Sequence, residues 1–272
     1  MVVFVCLIIG VITALVGSAM GLGGGIVLIP SLLFMSTISD SFSWATPQAI
    51  VGISLITMVV TSLASTLSYA KGKRVDYQAG ALFLTGSIPG GVVGSWLNQF
   101  VDTESFLMYF GILMIVISLV LLLKKKPFAK RIYSENESGL RSFELYGETY
   151  YYKVSVFGAF LLSVIVGTLS GLFGIGGGSI MVPAMILLFG FPAHIATATS
   201  MFMIFFVSIV GATTHISLGH IPWEYVLFFI PGSWIGGKLG AKVNQLMPGK
   251  TLELILRILL VFIGLRMIYQ GL

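Results

Sequence analysis

The chain has 272 residues, of which 57% are hydrophobic and only 9% charged, and its mean hydropathy is +1.02. Soluble domains carry nearer a quarter charged residues, so this composition excludes an ordinary soluble domain and describes a polytopic membrane protein. The net charge of +5 is a matter of placement: ten of the fifteen Lys and Arg fall within Lys71 to Arg74 and Lys124 to Lys153, a loop pattern rather than a nucleic-acid surface.

In chain order, the opening MVVFVCLIIGVITALVGSAMG lacks the basic start of a secretory signal and is read as a mature helix. Its Cys6 is the one cysteine of the chain, which excludes an internal disulfide and a multi-cysteine metal site. Next comes GLGGGIVLIP, Gly21 to Pro30, which recurs as GIGGGSIMVP, Gly174 to Pro183. Each glycine costs a helix about 1 kcal/mol relative to alanine, so four of them inside an apolar run should break it.

Apolar runs of near-spanning length fall at Val2 to Met20, Gln48 to Ala70, Tyr77 to Phe100 and Ser105 to Leu123. A second set falls at Val154 to Phe173, Ala193 to Ile216, Trp223 to Leu246 and Leu252 to Tyr269. The expected fold is therefore an all-α polytopic membrane protein of two homologous four-helix repeats, about 8 main spans, with the first helix of each repeat broken or re-entrant at its glycines. Its divisions are a first repeat over 1–123, a polar linker over 124–153 and a second repeat over 154–272.

The duplication rests on matches in the same order. An offset of 153 carries Gly21, Gly23, Gly24, Gly25 and Pro30 onto Gly174, Gly176, Gly177, Gly178 and Pro183. After a shorter connection the offset is 146, and GSIPGGVVG at Gly86 then falls on GSWIGGKLG at Gly232, and Ser54 on Ser200. Small residues at such spacing also let membrane helices pack closely, which is the plain reading of the two later blocks. Two crossings separate the Lys71 loop from the Lys124 cluster, so the positive-inside rule puts both in the cytoplasm. An even number of spans per repeat then makes the repeats parallel, with both termini and the 124–153 linker cytoplasmic. The first unit is too long for one straight crossing, and a re-entrant turn at the glycines would absorb the excess and make the repeats inverted if the number of crossings were odd.

In lipid, an unwound backbone survives only where protein or a water-filled cavity surrounds it. A helix beginning at Gly25 or Gly178 presents first-turn amides with no intrahelical acceptor and the positive end of its dipole, which suits an anion. Candidate ligands are the glycines Gly23, Gly24, Gly25, Gly176, Gly177 and Gly178, joined by the hydroxyls of Ser54, Ser200 and Thr199. His215, where the first half has Tyr69, and Lys238 in GGKLG are the candidate bases, although each also reads as an interfacial residue. No carboxylate is expected at the bilayer centre, which disfavours a buried-acid proton relay. No HExxH or GxSxG occurs, so no enzyme, catalytic residue, metal or cofactor is expected.

These residues together resemble the sulfite exporter TauE/SafE family: the paired glycine motifs, the hydroxyl-rich span after each, the GSxxGGxxG blocks and the two-times-four organisation. The resemblance covers the chain apart from the Lys124 to Lys153 linker. It implies transport of a sulfur-containing anion, such as sulfite, sulfoacetate or a related sulfonate, across the cell membrane. It also implies a site at the two glycine motifs with the neighbouring hydroxyls. Export is the leading expectation, with the anion bound between the two breaks by alternating access. Uptake, and a carrier of another solute or a cation using unwound carbonyls, stay open. The expected partners are a small anionic substrate and the bilayer, with a homodimer open and nucleic acid excluded.

Overall fold

The computed structural model describes residues 2–122, 140–145 and 148–271. Its first half holds α1 (Val2–Met20), α2 (Gly25–Ile38), α3 (Pro47–Lys71), α4 (Tyr77–Leu97) and α5 (Thr103–Leu122). Its second half holds α6 (Val156–Phe173), α7 (Gly178–Leu188), α8 (Ala193–Ser217), α9 (Trp223–Leu246) and α10 (Gly249–Gly271). Between them lie strands β1 (Leu140–Leu145) and β2 (Glu148–Lys153), an antiparallel hairpin with Leu140 opposite Lys153. The hairpin occupies the end of the expected linker, whose residues 124–139 lie outside the described ones. Among the described residues, five helices are long and apolar enough to cross a membrane: α1, α3, α4 with its extension to Phe100, α6 and α8.

The ends of these helices are written locally. Pro47 begins α3, where its missing N–H costs nothing, and the Thr46 hydroxyl accepts from the Ala49 N–H. Asp76 caps α4 in the same way, its carboxylate accepting from the Ala79 N–H at 2.9 Å. Phe4, Ile8 and Ile12 lie exposed along one face of α1, and Phe157, Leu161 and Ile165 along one face of α6. Four-residue spacing puts each set in a stripe, and such apolar stripes suit lipid. The interior is instead rich in Gly, Ser and Thr.

Close helix pairing explains the later glycine blocks. A Cβ on Gly232, Gly236 or Gly240 of α9 would run into the backbone carbonyls of Leu7, Val11 and Leu15 on α1. Likewise Gly86, Gly90 and Gly94 of α4 sit against the carbonyls of Phe160, Val164 and Thr168 on α6. Only glycine permits this approach, so packing accounts for both blocks. Asn98 and Asn244 tie the same two pairs, donating to the carbonyls of Leu172 and Ala19.

These contacts also fix direction. Numbers rise together in α1 with α9 and in α4 with α6, so each pair is parallel. The α3–α9 pair is parallel too, Ser65 donating to the Gly237 carbonyl while Lys71 shares a groove with Lys242. In α4 and α8, Gly80 meets Thr199 and Ser95 meets Gly211, again in parallel. Across the centre, Gly52 meets His215 and Leu55 meets Gly211, which makes α3 and α8 antiparallel. In α5 and α10, Gly111 meets Gly264 while Ser118 donates to the Arg257 carbonyl, also antiparallel.

Following the chain of pairings, α1 runs opposite to α6, α3 to α8, α4 to α9 and α5 to α10. The halves are therefore inverted, and the expectation of parallel repeats is corrected. The physical cause is the return of the chain at the glycines. Ser18, near the end of α1, lies beside Ser65 and Tyr69 of α3, whereas Gly23 lies beside Met58 and Gly25 beside Ser54. The chain thus retreats along α3 before α2 begins. Each half consists of four long helices plus one short return helix, and it starts on one face and ends on the other. The two termini share one face of the bundle, and the α3–α4 loop, the end of α5 and the start of α6 lie on the opposite face. That overturns the expectation of termini and linker on one side.

Candidate functional site

The two breaks have the same backbone. Gly21, Gly23 and Gly24 have φ of 76°, 84° and 108°, and Gly174, Gly176 and Gly177 have 64°, 74° and 69°. Side chains with a Cβ are strained at such angles, so three glycines in each motif are required by conformation. The fourth is required by contact: a Cβ on Gly25 would overlap the Gly174 carbonyl oxygen, and one on Gly178 the Gly21 carbonyl oxygen. Each short helix therefore starts against the turn of the other half.

Two hydroxyls lock this crossing. Ser54 donates to the Gly174 carbonyl at 2.7 Å, and Ser200 donates to the Gly21 carbonyl at 2.8 Å. Met58 and Ile204 wedge against both Gly23 and Gly176. The expected pairing of Gly23, Gly24, Gly25, Ser54, Gly176, Gly177, Gly178 and Ser200 at one centre is thus what the geometry brings together. The breaks touch, and the serines hold them closed on each other.

Open space lies to one side. A small cavity of about 10 Å³ sits beside the second break, lined by Gly176, Gly177, Gly178, Ser87, Ser170 and Ser200 among others. That is room for roughly one water, so the site is closed down around its polar groups. Ser87 and Ser170 are buried, at 2% and 0% exposure, and their hydroxyls have no hydrogen-bond partner among the described residues. The Ser179 hydroxyl, in the first turn of α7, is buried and unpartnered too. A buried hydroxyl without a partner costs about 1–3 kcal/mol, which a bound acceptor would recover. With the α7 N-terminus at its edge, this cavity offers donors and a positive dipole end with no fixed cation.

Three expected site residues stand elsewhere. Thr199 accepts the Asp76 N–H at 3.0 Å, a contact at the start of α4. His215 is buried at the far end of α8, with its Nδ1 3.2 Å from Nδ1 of His220. Lys238 lies exposed in a surface groove, 4.7 Å above the Trp234 ring. His215 and its loop do have a counterpart: the His220 N–H donates to the His215 carbonyl as the Arg74 N–H donates to that of Tyr69. Burial pushes both loop groups, the Arg74 guanidinium and the His220 imidazole, below their ordinary pKa values.

Sequence reasoning does not reach Ser87 and Ser170. Ser87 carries a signal, since it stands second in the GSIPGGVVG block and aligns with Ser233. Ser170 carries none, because the first half has Gly17 at its place.

The sequence profile of the sulfite exporter TauE/SafE family matches residues 6–267. The chain belongs to that family. It is a multi-pass membrane transporter. A probable membrane transporter protein of Bacillus subtilis (strain 168), YunE, is 47% identical over 98% of this chain and 97% of its own length. A probable membrane transporter protein of Methanocaldococcus jannaschii is 29% identical over 96% of this chain and 94% of its own length. One of Xylella fastidiosa (strain Temecula1) is 27% identical over 83% and 80%. No solved structure matches the chain.

Proposed function

We propose that this TauE/SafE transporter exports a small sulfur-containing oxyanion, sulfite, sulfoacetate or a related sulfonate, and that the anion binds at the cavity beside the second glycine break once that cavity widens. The observation that carries this reading is the set of unpartnered buried hydroxyls of Ser87 and Ser170 at the N-terminal end of α7. Oxyanions accept several hydrogen bonds, and these donors have no acceptor among the described residues. An uncharged donor set also binds an anion without holding it too tightly to release. The crossed serine locks at Gly21 and Gly174 support alternating access, because opening on either face must pull a short helix away from the opposite turn. The same movement would enlarge the cavity to the size of the anion.

The linker face carries Lys71, Lys73, Arg74, Lys242 and Lys153, and we assign it to the cytoplasm by the positive-inside rule. The termini then lie outside. For an anion leaving a negative interior, the membrane potential supplies about 2.3 kcal/mol per charge per 100 mV, so export needs no coupling ion.

The test is efflux from proteoliposomes loaded with radiolabelled sulfite or sulfoacetate. The protein should speed loss of label, and the Ser87→Ala, Ser170→Ala double variant should reduce that gain about tenfold with a melting temperature equal to or above that of the wild type, since each substitution removes a buried unpartnered hydroxyl. Efflux no faster than from protein-free liposomes, across a range of sulfur anions, would reject the substrate class. Sodium-dependent movement of a cation in the same vesicles would favour the carrier reading instead.

A further inference from the structure

A second cavity, a groove of about 740 Å³, runs down the outer surface between α3 and α9 at the linker end of the bundle. Lys71, Lys238 and Lys242 line it, and none of its described lining residues is acidic. Lys238 and Lys242 are one helical turn apart on α9, and Lys71 ends α3 beside them. Trp234 stacks under the Lys238 ammonium, and Ile235 and Leu239, exposed at 49% and 42%, form an apolar strip beside it. Three ammonium groups above an apolar strip, on a lipid-facing surface, match an anionic headgroup above an acyl chain.

The fold itself does not ask for these lysines. Under the offset of 146 the equivalent positions on α8 and α4 are Ser217 for Lys71, Val92 for Lys238 and Trp96 for Lys242. The α4–α8 pair packs as closely as its equivalent α3–α9, so the packing is served without any positive charge. The positive-inside rule accounts for lysines at this face, and what it does not account for is their convergence on one groove beside an apolar strip, which matches a ligand of opposite charge. We propose that this groove binds an anionic phospholipid of the leaflet at the linker face, its phosphate held by Lys71, Lys238 and Lys242 and one chain laid along Ile235 and Leu239.

The experiment compares lipid retention by native mass spectrometry, and fluorescent-lipid binding in nanodiscs, for phosphatidylglycerol and phosphatidylcholine. The Lys71→Gln, Lys238→Gln, Lys242→Gln variant should lose phosphatidylglycerol binding by about tenfold or more, given the contribution of each lysine at an anionic surface. Phosphatidylcholine retention should not change. The corresponding triple arginine variant should keep phosphatidylglycerol and serves as the folding control. Equal phosphatidylglycerol retention by wild type and the glutamine variant would overturn the proposal. So would free inorganic phosphate or sulfite displacing the lipid at comparable concentration, which would make the groove a site for soluble anions. The sulfite efflux assay does not enter these outcomes, so they stand apart from the transport reading.

Discussion

The first and second glycine breaks share φ angles, crossed serine hydrogen bonds and contact with one another, yet they differ in what backs them. Behind the first, Gly17 of α1 lies so close to the turn that a Cβ would overlap the Gly24 amide nitrogen. Behind the second, the equivalent position is Ser170, whose Cβ stands 3.5 Å from where a Gly177 Cβ would be. The first short helix continues with Ile26 where the second has Ser179. Ser233, at the place of Ser87, is buried and unpartnered among the described residues as well, so what sets the second break apart is the Ser170 and Ser179 hydroxyls in place of Gly17 and Ile26, and the small cavity. The two copies thus share their backbone geometry, while the side chains around them differ.

The largest expected effect tests what the breaks share. Gly25→Ala and Gly178→Ala each drive a methyl group into a backbone carbonyl of the other half, and neither carbonyl can move without its own turn. Both should lower stability by about 1–3 kcal/mol or more and abolish transport, read as melting temperature in detergent and as vesicle efflux. Unequal losses would show that the two contacts are not equivalent.

A smaller effect sharpens the difference. Ser170→Gly copies the first break into the second and should reduce efflux about tenfold while leaving the melting temperature close to that of the wild type, since a hydrogen bond to a charged group is worth about 1.5–3 kcal/mol. The reverse change, Gly17→Ser, should destabilise because its space is occupied. A wild-type melting temperature for Gly17→Ser would mean that the first break has room to yield, and the contrast between the two would lose its packing basis.

The smallest effect concerns the locks. Ser54→Ala and Ser200→Ala each remove one cross-half hydrogen bond, about 1 kcal/mol apiece, and should lower the melting temperature by similar amounts. A much larger loss in one of them would assign that serine to the solute as well as to the lock.

Much of the site is legible in the sequence because its causes are local. Three consecutive glycines with a fourth two places before make a break accessible where the spaced glycines of α4 and α9 stay helical, and the positive φ values at Gly23, Gly24, Gly176 and Gly177 are the form that break takes. The matched offsets single out Ser54 and Ser200 together, and both reach the breaks. Thr199 and Lys238 fall outside the site for the opposite reason. One helical position separates Thr199 from Ser200, a rotation of about 100°, and that is enough to aim it at the start of α4. Lys238 lies in a block whose glycines face α1 and α3, which leaves the lysine on the outside.

The sequence by itself determined the membrane class, the two breaks and the correspondence between the halves, since composition, dihedral demands and repeat spacing are properties of a linear chain. Only the tertiary structure decided that the halves are inverted, that the breaks touch and that the cavity lies beside the second. Those facts rest on contacts such as Ser54 with Gly174 and Ser200 with Gly21, between residues 120 and 179 positions apart. No local preference reports the direction in which two such distant segments meet, because it is set by which helices pack against each other.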